Sequence, residues 1–353
     1  MTASEIDVRP IRVQDLIRLR SMRTDAIMPD LAQAPLGHRF ADPLSVLPIS
    51  RRARKSFVAF HGGRPAGLMD LIADPENHRW IFSRLLTCQH LSFDEHAGTR
   101  ESVWSELVLQ AIRAAGAARA KRIHAILDED SAVLPVMQSA GFAEFAQDAL
   151  LMAQLLPKLE PAGIVRRQDA SDVWAIHQLY HQVTPRPVQY AEAFTSNYWG
   201  LSIPGQQAAR GYVVEDGFEI IAHCRVTFGC EGPILHVMVR PDANELLAPV
   251  VRDVLNDLAP NAKRPVSIIV PDYLQEYTEA LVGLGFDLQR RQTRLVKYTV
   301  VARRMQFSSL EEFAREVPER VAAGTPSMYL APTAANDGSS KQEQDTQDWN
   351  GLS

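Results

Sequence analysis

Ser139-Ala140-Gly141-Phe142 and Gly283-Leu284-Gly285-Phe286 are the two stretches that decide the fold. Each ends a short helical pattern in a Gly-Phe pair, and the glycines Gly141 and Gly285 lie 144 positions apart. Upstream, Arg12-Val13-Gln14-Asp15 opens one helical stretch and Arg166-Arg167-Gln168-Asp169 opens another, with Asp15 and Asp169 separated by 154 positions. Two markers that recur in one order at nearly one offset describe a domain used twice. A chain of 353 residues is long for one domain and comfortable for two, each able to bury its own core.

The elements between the markers repeat as well. In the first half, Asp15 or a neighbour caps a helix carrying Leu16, Leu19 and Met22. A Pro-rich stretch from Pro29 to Pro48 is followed by strand, tight turn and strand: Phe57 to Phe60, Gly62-Gly63, and Gly67 to Ile72. A further strand is predicted from Leu85 to Phe93. Val103, Leu107, Ala111 and Ala115 then recur every four residues, the clearest helix in the chain. A strand at Arg122 to Leu127, the short helix with Gly141-Phe142, and strands ending at Met152 complete the half. After Pro157 and Pro161-Ala162-Gly163 the order returns. It comprises a helix with Val173, Ile176 and Tyr180, a hairpin about Asp216-Gly217, and a strand from Leu235 to Val239. A helix from Leu247 to Leu258, a strand at Val266 to Val270, Gly285-Phe286 and a strand at Leu295 to Val300 follow. The predicted division is 1–157, 158–303, a helix within 304–330 carrying Leu310, Phe313 and Val317, and a disordered acidic tail over 331–353.

Composition excludes several classes. Hydrophobic residues make up 46% and charged ones 22%, the balance of a soluble globular protein, and the net charge of −5 gives no basic face for nucleic acid. Three cysteines, Cys88, Cys224 and Cys230, make neither a disulfide framework nor a metal-ligand spacing, which points to a cytoplasmic protein. Glu5 and Asp7 in a start without an apolar run argue against a signal peptide, and no apolar run is long enough to enter a membrane. His177 and His181 stand four apart on a helix, but no third ligand accompanies them, so no metal is expected. The run Arg51, Arg52, Arg54 and Lys55 reads as a solvated loop before a strand. The aromatic cluster Tyr190, Phe194, Tyr198 and Trp199 reads either as core or inter-domain packing or as the wall of an acceptor pocket.

Hairpin, strand, long helix, strand, and a short helix ending in Gly-Phe, present twice in order, resemble the GNAT N-acetyltransferase superfamily over about residues 7–302. The resemblance implies an α/β fold of the α+β, mixed-sheet kind: two tandem GNAT-like acyl-CoA N-acyltransferase domains. Each sheet is then splayed between its central strands, with acetyl-CoA as co-substrate in the splay. The pyrophosphate would rest on the start of the long helix, approached through an Arg/Gln-x-x-Gly-x-Gly/Ala loop. A helix start offers unpaired N–H groups and partial positive charge, and glycine lets backbone approach the phosphate oxygens closely.

Carried onto this chain, the resemblance implies Gly98, Thr99, Arg100, Ser102 and Val103 as the cofactor-binding set. Of the loop glycines only Gly98 is present. The second copy, at Pro241 to Leu247, has none, and Pro249 removes an N–H near its helix start. The cofactor is therefore expected in the first half. Many family members place a tyrosine four residues before the Gly of Gly-Phe, where Met137 and Leu281 stand here. The implied general bases are Asp94, Glu95 and His96, with His90 beside them, and Glu231 and His236 in the second copy. Two functions of different class remain open. One is an acyl-CoA-dependent N-acyltransferase acting on a small-molecule or peptide amine. The other is a catalytically inactive GNAT-like scaffold that binds a ligand or partner. Homo-oligomerisation is compatible with both.

Overall fold

The computed structural model describes residues 6–20, 24–27, 54–74, 78–88, 97–154, 160–201, 209–228, 232–258 and 264–299. The Pro-rich stretch, the helix expected within 304–330 and the tail expected over 331–353 lie outside the described residues.

Among the described residues, one mixed sheet of thirteen strands runs through both halves. The first half contains β1 (Ile6–Pro10), α1 (Val13–Arg20), β2 (Thr24–Ile27), β3 (Arg54–His61), β4 (Arg64–Asp74) and β5 (Arg79–Cys88). It continues with α2 (Ala97–Ala117), β6 (Arg122–Asp128), α3 (Leu134–Ser139) and β7 (Ala143–Ala153). The second half contains β8 (Arg166–Arg167), α4 (Val173–Val183), α5 (Arg186–Glu192), β9 (Ala209–Asp216), β10 (Glu219–Phe228) and β11 (Pro233–Val239). It ends with α6 (Leu247–Leu258), β12 (Val266–Pro271), α7 (Tyr277–Gly283) and β13 (Asp287–Tyr298). The strand order is β1-β3-β4-β5-β6-β13-β7-β12-β11-β10-β9-β8, with β2 paired to β5 off this path.

That order contains an exchange. β6 has β13 beside it, from Arg122↔Tyr298 to Asp128↔Gln292, and β7 lies beside β12, from Ala153↔Val266 to Asp148↔Pro271. The last strand of each half thus completes the other half. Leu295 of β13 is buried in the first core among Phe82, Leu107, Ile123 and Phe142. Leu151 and Ala153 of β7 are buried in the second, among Leu179, Val237, Val254 and Phe286. Apolar burial of this kind is the main stabilising term, so each core depends on the other half's strand.

The two sequence markers take the same form in both halves. Gly141 and Gly285 have φ of 82° and 90°, a conformation that glycine adopts without strain. Phe142 N–H donates to Met137 O and Phe286 N–H to Leu281 O, at 3.0 and 3.1 Å, while Gly141 N–H donates to Gln138 O and Gly285 N–H to Val282 O. This is a Schellman cap, with the aromatic residue beyond the glycine packed under the last helical turn. Met137 and Leu281 are the buried residues of that contact, so both places are core positions.

The opening marker repeats with a different register from the one the sequence suggests. Arg9 makes a two-pronged pair with Asp15 (2.7 and 2.8 Å), whose carboxylate also accepts Arg12 N–H. Arg166 makes the same pair with Asp172 (2.8 and 2.9 Å), which accepts Asp169 N–H. Asp15 is therefore equivalent to Asp172, three residues beyond Asp169. The preserved unit is an arginine on a strand bound to a helix-start carboxylate six residues on, a relation that adjacent-letter matching misses.

β5 also differs from expectation, starting at Arg79 where the sequence reading starts at Leu85. Arg79 and Arg84 interrupt the apolar pattern, but both are buried because Asp74 and Asp70 neutralise them, at 2.9 Å and 2.8 Å. The last strand likewise begins at Asp287, before the expected Leu295, through a mostly polar run in which Gln292 and Thr293 are buried.

The connection between halves is held by one carboxylate. Asp253 of α6 accepts N–H groups from four successive residues, Ala162 (2.6 Å), Gly163 (3.0 Å), Ile164 (2.7 Å) and Val165 (3.2 Å). Gly163, with φ of 71°, turns the chain so that these donors converge. Asp253→Ala leaves all four without that acceptor. It is expected to cost about 2–4 kcal/mol, with cleavage near Gly163 in limited proteolysis. Urea unfolding and proteolysis of the variant beside the wild type check this; unchanged behaviour in both would refute the clamp.

Candidate functional site

The central opening of each half is visible in the ladders. β5 and β6 run parallel for three pairs, Arg79↔Arg122 to Ile81↔His124, and then part. β11 and β12 do the same from Ile234↔Ser267 to His236↔Ile269. Past each fork comes a helix whose first N–H groups have no partner within the helix. Beyond this the halves differ.

In the first half β5 carries a bulge at the fork: Asp70 pairs with Arg84 and Leu71 with Phe82, so Ser83 is the extra residue. A bulge bends its strand and increases the local twist, which widens the parting. Ser83 is fully buried and its Oγ has no hydrogen-bond partner among the described residues. α2 starts at Ala97, which places Gly98, Thr99 and Arg100 in its first turn, where N–H groups are open. The Arg100 guanidinium lies 5.0 Å over the Trp104 ring, and its Nε is buried without a partner among the described residues. Trp104 is fixed in turn by donating to Thr87 Oγ1 on β5 at 2.7 Å. Ser102 is exposed, further along the same helix.

Val103 sits differently from the rest of the expected set. It is fully buried, and a Cβ built on Gly67 would come within 3.0 Å of its Cγ1. Its role in the structure is to bring α2 down onto β4, which requires a glycine opposite. Asp94, Glu95 and His96, with His90, lie outside the described residues, as does Glu231.

In the second half the fork is closed. Tyr277 of α7 donates its hydroxyl to Val239 O and accepts Val239 N–H, both at 3.1 Å, so one side chain satisfies both backbone groups of Val239, at the end of the splayed strand. A 3-10 turn, Pro241–Leu246, leads directly into α6. Arg240, between β11 and that turn, is held by Asp242 (2.6 Å), Glu219 (3.1 Å) and Asp216 (4.0 Å). Three carboxylates around that arginine repel a diphosphate.

A second polar cluster lies where α5 packs over the exchanged strands. Arg294 of β13 pairs with Asp148 of β7 (3.4 Å) and with Glu192 at the end of α5, to which Tyr180 also donates, at 2.6 Å. Arg79 stacks 4.7 Å over Phe194, and Phe194 stacks on Tyr198 at 3.7 Å. Arg225 donates to Tyr198 O (2.9 Å) and Gly200 O (3.3 Å). Phe194 and Tyr198 are thus packed against Arg79 of the first half, Trp199 is buried in the core of the second, and Tyr190 is exposed beside Tyr298. Sequence reading missed this cluster because Asp148, Glu192 and Arg294 are remote in the chain. The one local sign is the unbroken polar run from Gln289 to Arg294 directly before Leu295.

Four histidines around this cluster are held neutral. Burial, then Arg225 and Arg294, bring His236 down to about 4; burial, then Arg225, brings His223 to about 3. His124 is pushed well down by burial and by Arg79, Arg294 and Arg122. His177 is lowered by burial and by His181. Its tautomer follows from its neighbours. Trp199 N–H, a donor only, points to His177 Nδ1 at 3.1 Å, so the proton sits on Nε2 and is donated to His181 Nε2, also at 3.1 Å. His181 Nδ1 then donates to Gln189 Oε1. A metal bound to both Nε2 atoms would need the His177 proton on Nδ1, against the indole N–H. No group of three potential metal ligands occurs among the described residues, and no helix among them is long and apolar enough to cross a membrane.

No protein-family model matches the chain, and no curated protein does. Solved structures do match. A GCN5-related N-acetyltransferase from Sphaerobacter thermophilus superposes with a TM-score of 0.50 at 13% identity, over 84% of this chain and 96% of that one. A tandem GNAT protein from the clavulanic acid biosynthesis pathway, solved without AcCoA, gives 0.50 at 14% identity, over 84% of this chain and all of that one. The chain has a tandem GNAT-like fold.

Folded-state pKa values below the ordinary 6.5 mean that acid protonates these histidines in the unfolded chain first. Their contribution is complete above about pH 6.5 and falls by about 1.4 kcal/mol per pH unit per histidine below it, until each folded-state value is reached. For His236 the window runs down to about pH 4. His236→Gln is expected to flatten the stability-pH slope by one proton between about pH 6.5 and 4.5. Urea midpoints across that range measure it, and parallel slopes would overturn the assignment.

Proposed function

We propose that this chain is an acyl-CoA-dependent N-acyltransferase, with acetyl-CoA as donor, that works from its first half. The observation that carries the reading is the asymmetry of the forks. The first has a bulged strand and a helix start with an arginine nearby, whereas the second is bonded shut by Tyr277 and ringed with carboxylates at Arg240. Gly98 and Thr99 would present N–H groups to the pyrophosphate, and Arg100 would supply a cation. Ser102 lies at the rim of that site. Val103 would act by holding the helix start against the sheet.

In the reaction a neutral amine attacks the thioester carbonyl carbon. The C–N bond forms, the C–S bond breaks, and the amine proton passes to Asp94, Glu95 or His96 as base. Water protonates the departing thiolate, since the apolar Met137 cannot. A small-molecule or peptide amine is the acceptor class. The second half, 158–303, would serve the first, 1–157, as structural partner through the exchanged strands.

The rival reading is a catalytically inactive scaffold that binds a ligand or partner, and β2 favours it by lying on β5 at the first fork. Calorimetric titration with acetyl-CoA at two temperatures separates the two. One site per chain, weakened at least about tenfold by Gly98→Glu (about 1.4 kcal/mol), is the expected result. Binding untouched by the variant would remove the cofactor from α2. No binding up to millimolar ligand would leave the scaffold.

A further inference from the structure

The geometry points to β2 as an occupant of the first fork that the chain supplies itself, and that acyl-CoA must displace in order to bind. This rests on the acyl-CoA reading above and adds a regulatory step to that site.

The edge of β5 that faces β6 is shared between two strands. Arg79 to Ile81 pair with β6, and Leu85 to Cys88 pair with β2, as Leu85↔Ile27, Leu86↔Ala26, Thr87↔Asp25 and Cys88↔Thr24. Only Phe82, Ser83 and Arg84, around the bulge, lie between the two ladders on that edge. A strand that leaves its parallel neighbour exposes N–H and C=O groups that need partners, and β2 provides them over four residue pairs. The second half meets the same need with the Tyr277 hydroxyl.

The two solutions differ in how readily they release. Tyr277 is a core residue of a helix, buried against the sheet it bonds. β2 is four residues long, has β5 as its one strand partner, and makes no other ladder among the described residues. A short antiparallel edge held on one side costs little to remove, and it leaves a row of backbone groups suited to an extended ligand. The pantetheine arm of an acyl-CoA is such a ligand, an extended chain with amide groups at intervals. β2 and the arm cannot both take the edge from Leu85 to Cys88. Cofactor binding is therefore coupled to release of Thr24–Ile27, and the apparent affinity is reduced by the fraction of time the fork stays filled.

The full chain carries its own attachment point for the test. Cys88 has a buried thiol and lies directly opposite Thr24, and residues opposed in an antiparallel ladder have Cα atoms within disulfide reach. Thr24→Cys, oxidised and confirmed by mass, pins β2 in place. Ala26→Pro together with Asp25→Pro removes ladder N–H groups and weakens its hold. The pinned protein is expected to lose acetyl-CoA binding and to regain it on reduction, while the proline variant binds about tenfold tighter than wild type. Equal affinity of pinned and reduced forms would overturn the displacement and leave the acyltransferase reading intact. Failure of the Thr24→Cys variant to couple to Cys88 under oxidant would remove β2 from the fork. If no form binds, the proline variant included, the acyl-CoA reading falls and the displacement falls with it.

Discussion

Backbone hydrogen bonding at strand edges is the constraint on which the rest of this molecule depends. A fork in a sheet is an edge opened in its interior, where N–H and C=O groups must find partners or reach water. The described residues form two such forks, and they fall into two halves, each ending in a strand of its own. The halves exchange those strands, so that β13 lies between β6 and β7 and a single ladder system runs from β1 to β8. The helices, cores and charged pairs are arranged around that choice. α2 covers the first half with help from Leu295, and α6 covers the second alongside Leu151.

The exchange also explains where charge is buried. Arg294 arrives on a strand from the second half, and meets Asp148 from the first and Glu192 from the helix above. The pair between Arg294 and Asp148 joins the two halves, and it depends on the register in which β13 lies along β7. A buried charge that loses its partner is far more costly than a neutral mismatch, so this triad favours the exchanged pairing. The neutral state of His124 and His236 nearby follows from burial first and from the same arginines second.

Much of the architecture can be read from letters. Gly141-Phe142 and Gly285-Phe286 are legible because a Schellman cap demands glycine at one place and an apolar residue at the next, and these demands leave a local trace. Val103, Leu107, Ala111 and Ala115 are legible because α2 buries one stripe. Arg79, Arg84 and the start of β13 are not, because arginines inside strands break the alternation and their neutralising carboxylates lie elsewhere in the chain. The register of the opening repeat is missed by three residues for a related reason: what repeats is a pair six apart, Arg9 with Asp15 and Arg166 with Asp172. The exchange of strands leaves no local signature, since nothing within β7 or β13 alone names the strand it pairs with. At the candidate site, Gly98 and Arg100 are visible as letters, whereas the bulge at Ser83, the Tyr277 plug and the β2 ladder are properties of pairing.

The exchanged strands also set the order of events as the protein is made. β6 lacks its final neighbour until residues 292–298 have been synthesised, and the first core lacks Leu295 until then. The first half therefore cannot finish folding as it leaves the ribosome, although all of its own strands are already out. It must wait, with part of its core uncovered, for well over a hundred further residues. Such long-range closure is slow and leaves apolar surface open to other nascent chains. The mutual support of the two halves thus carries a delay in covering the first core.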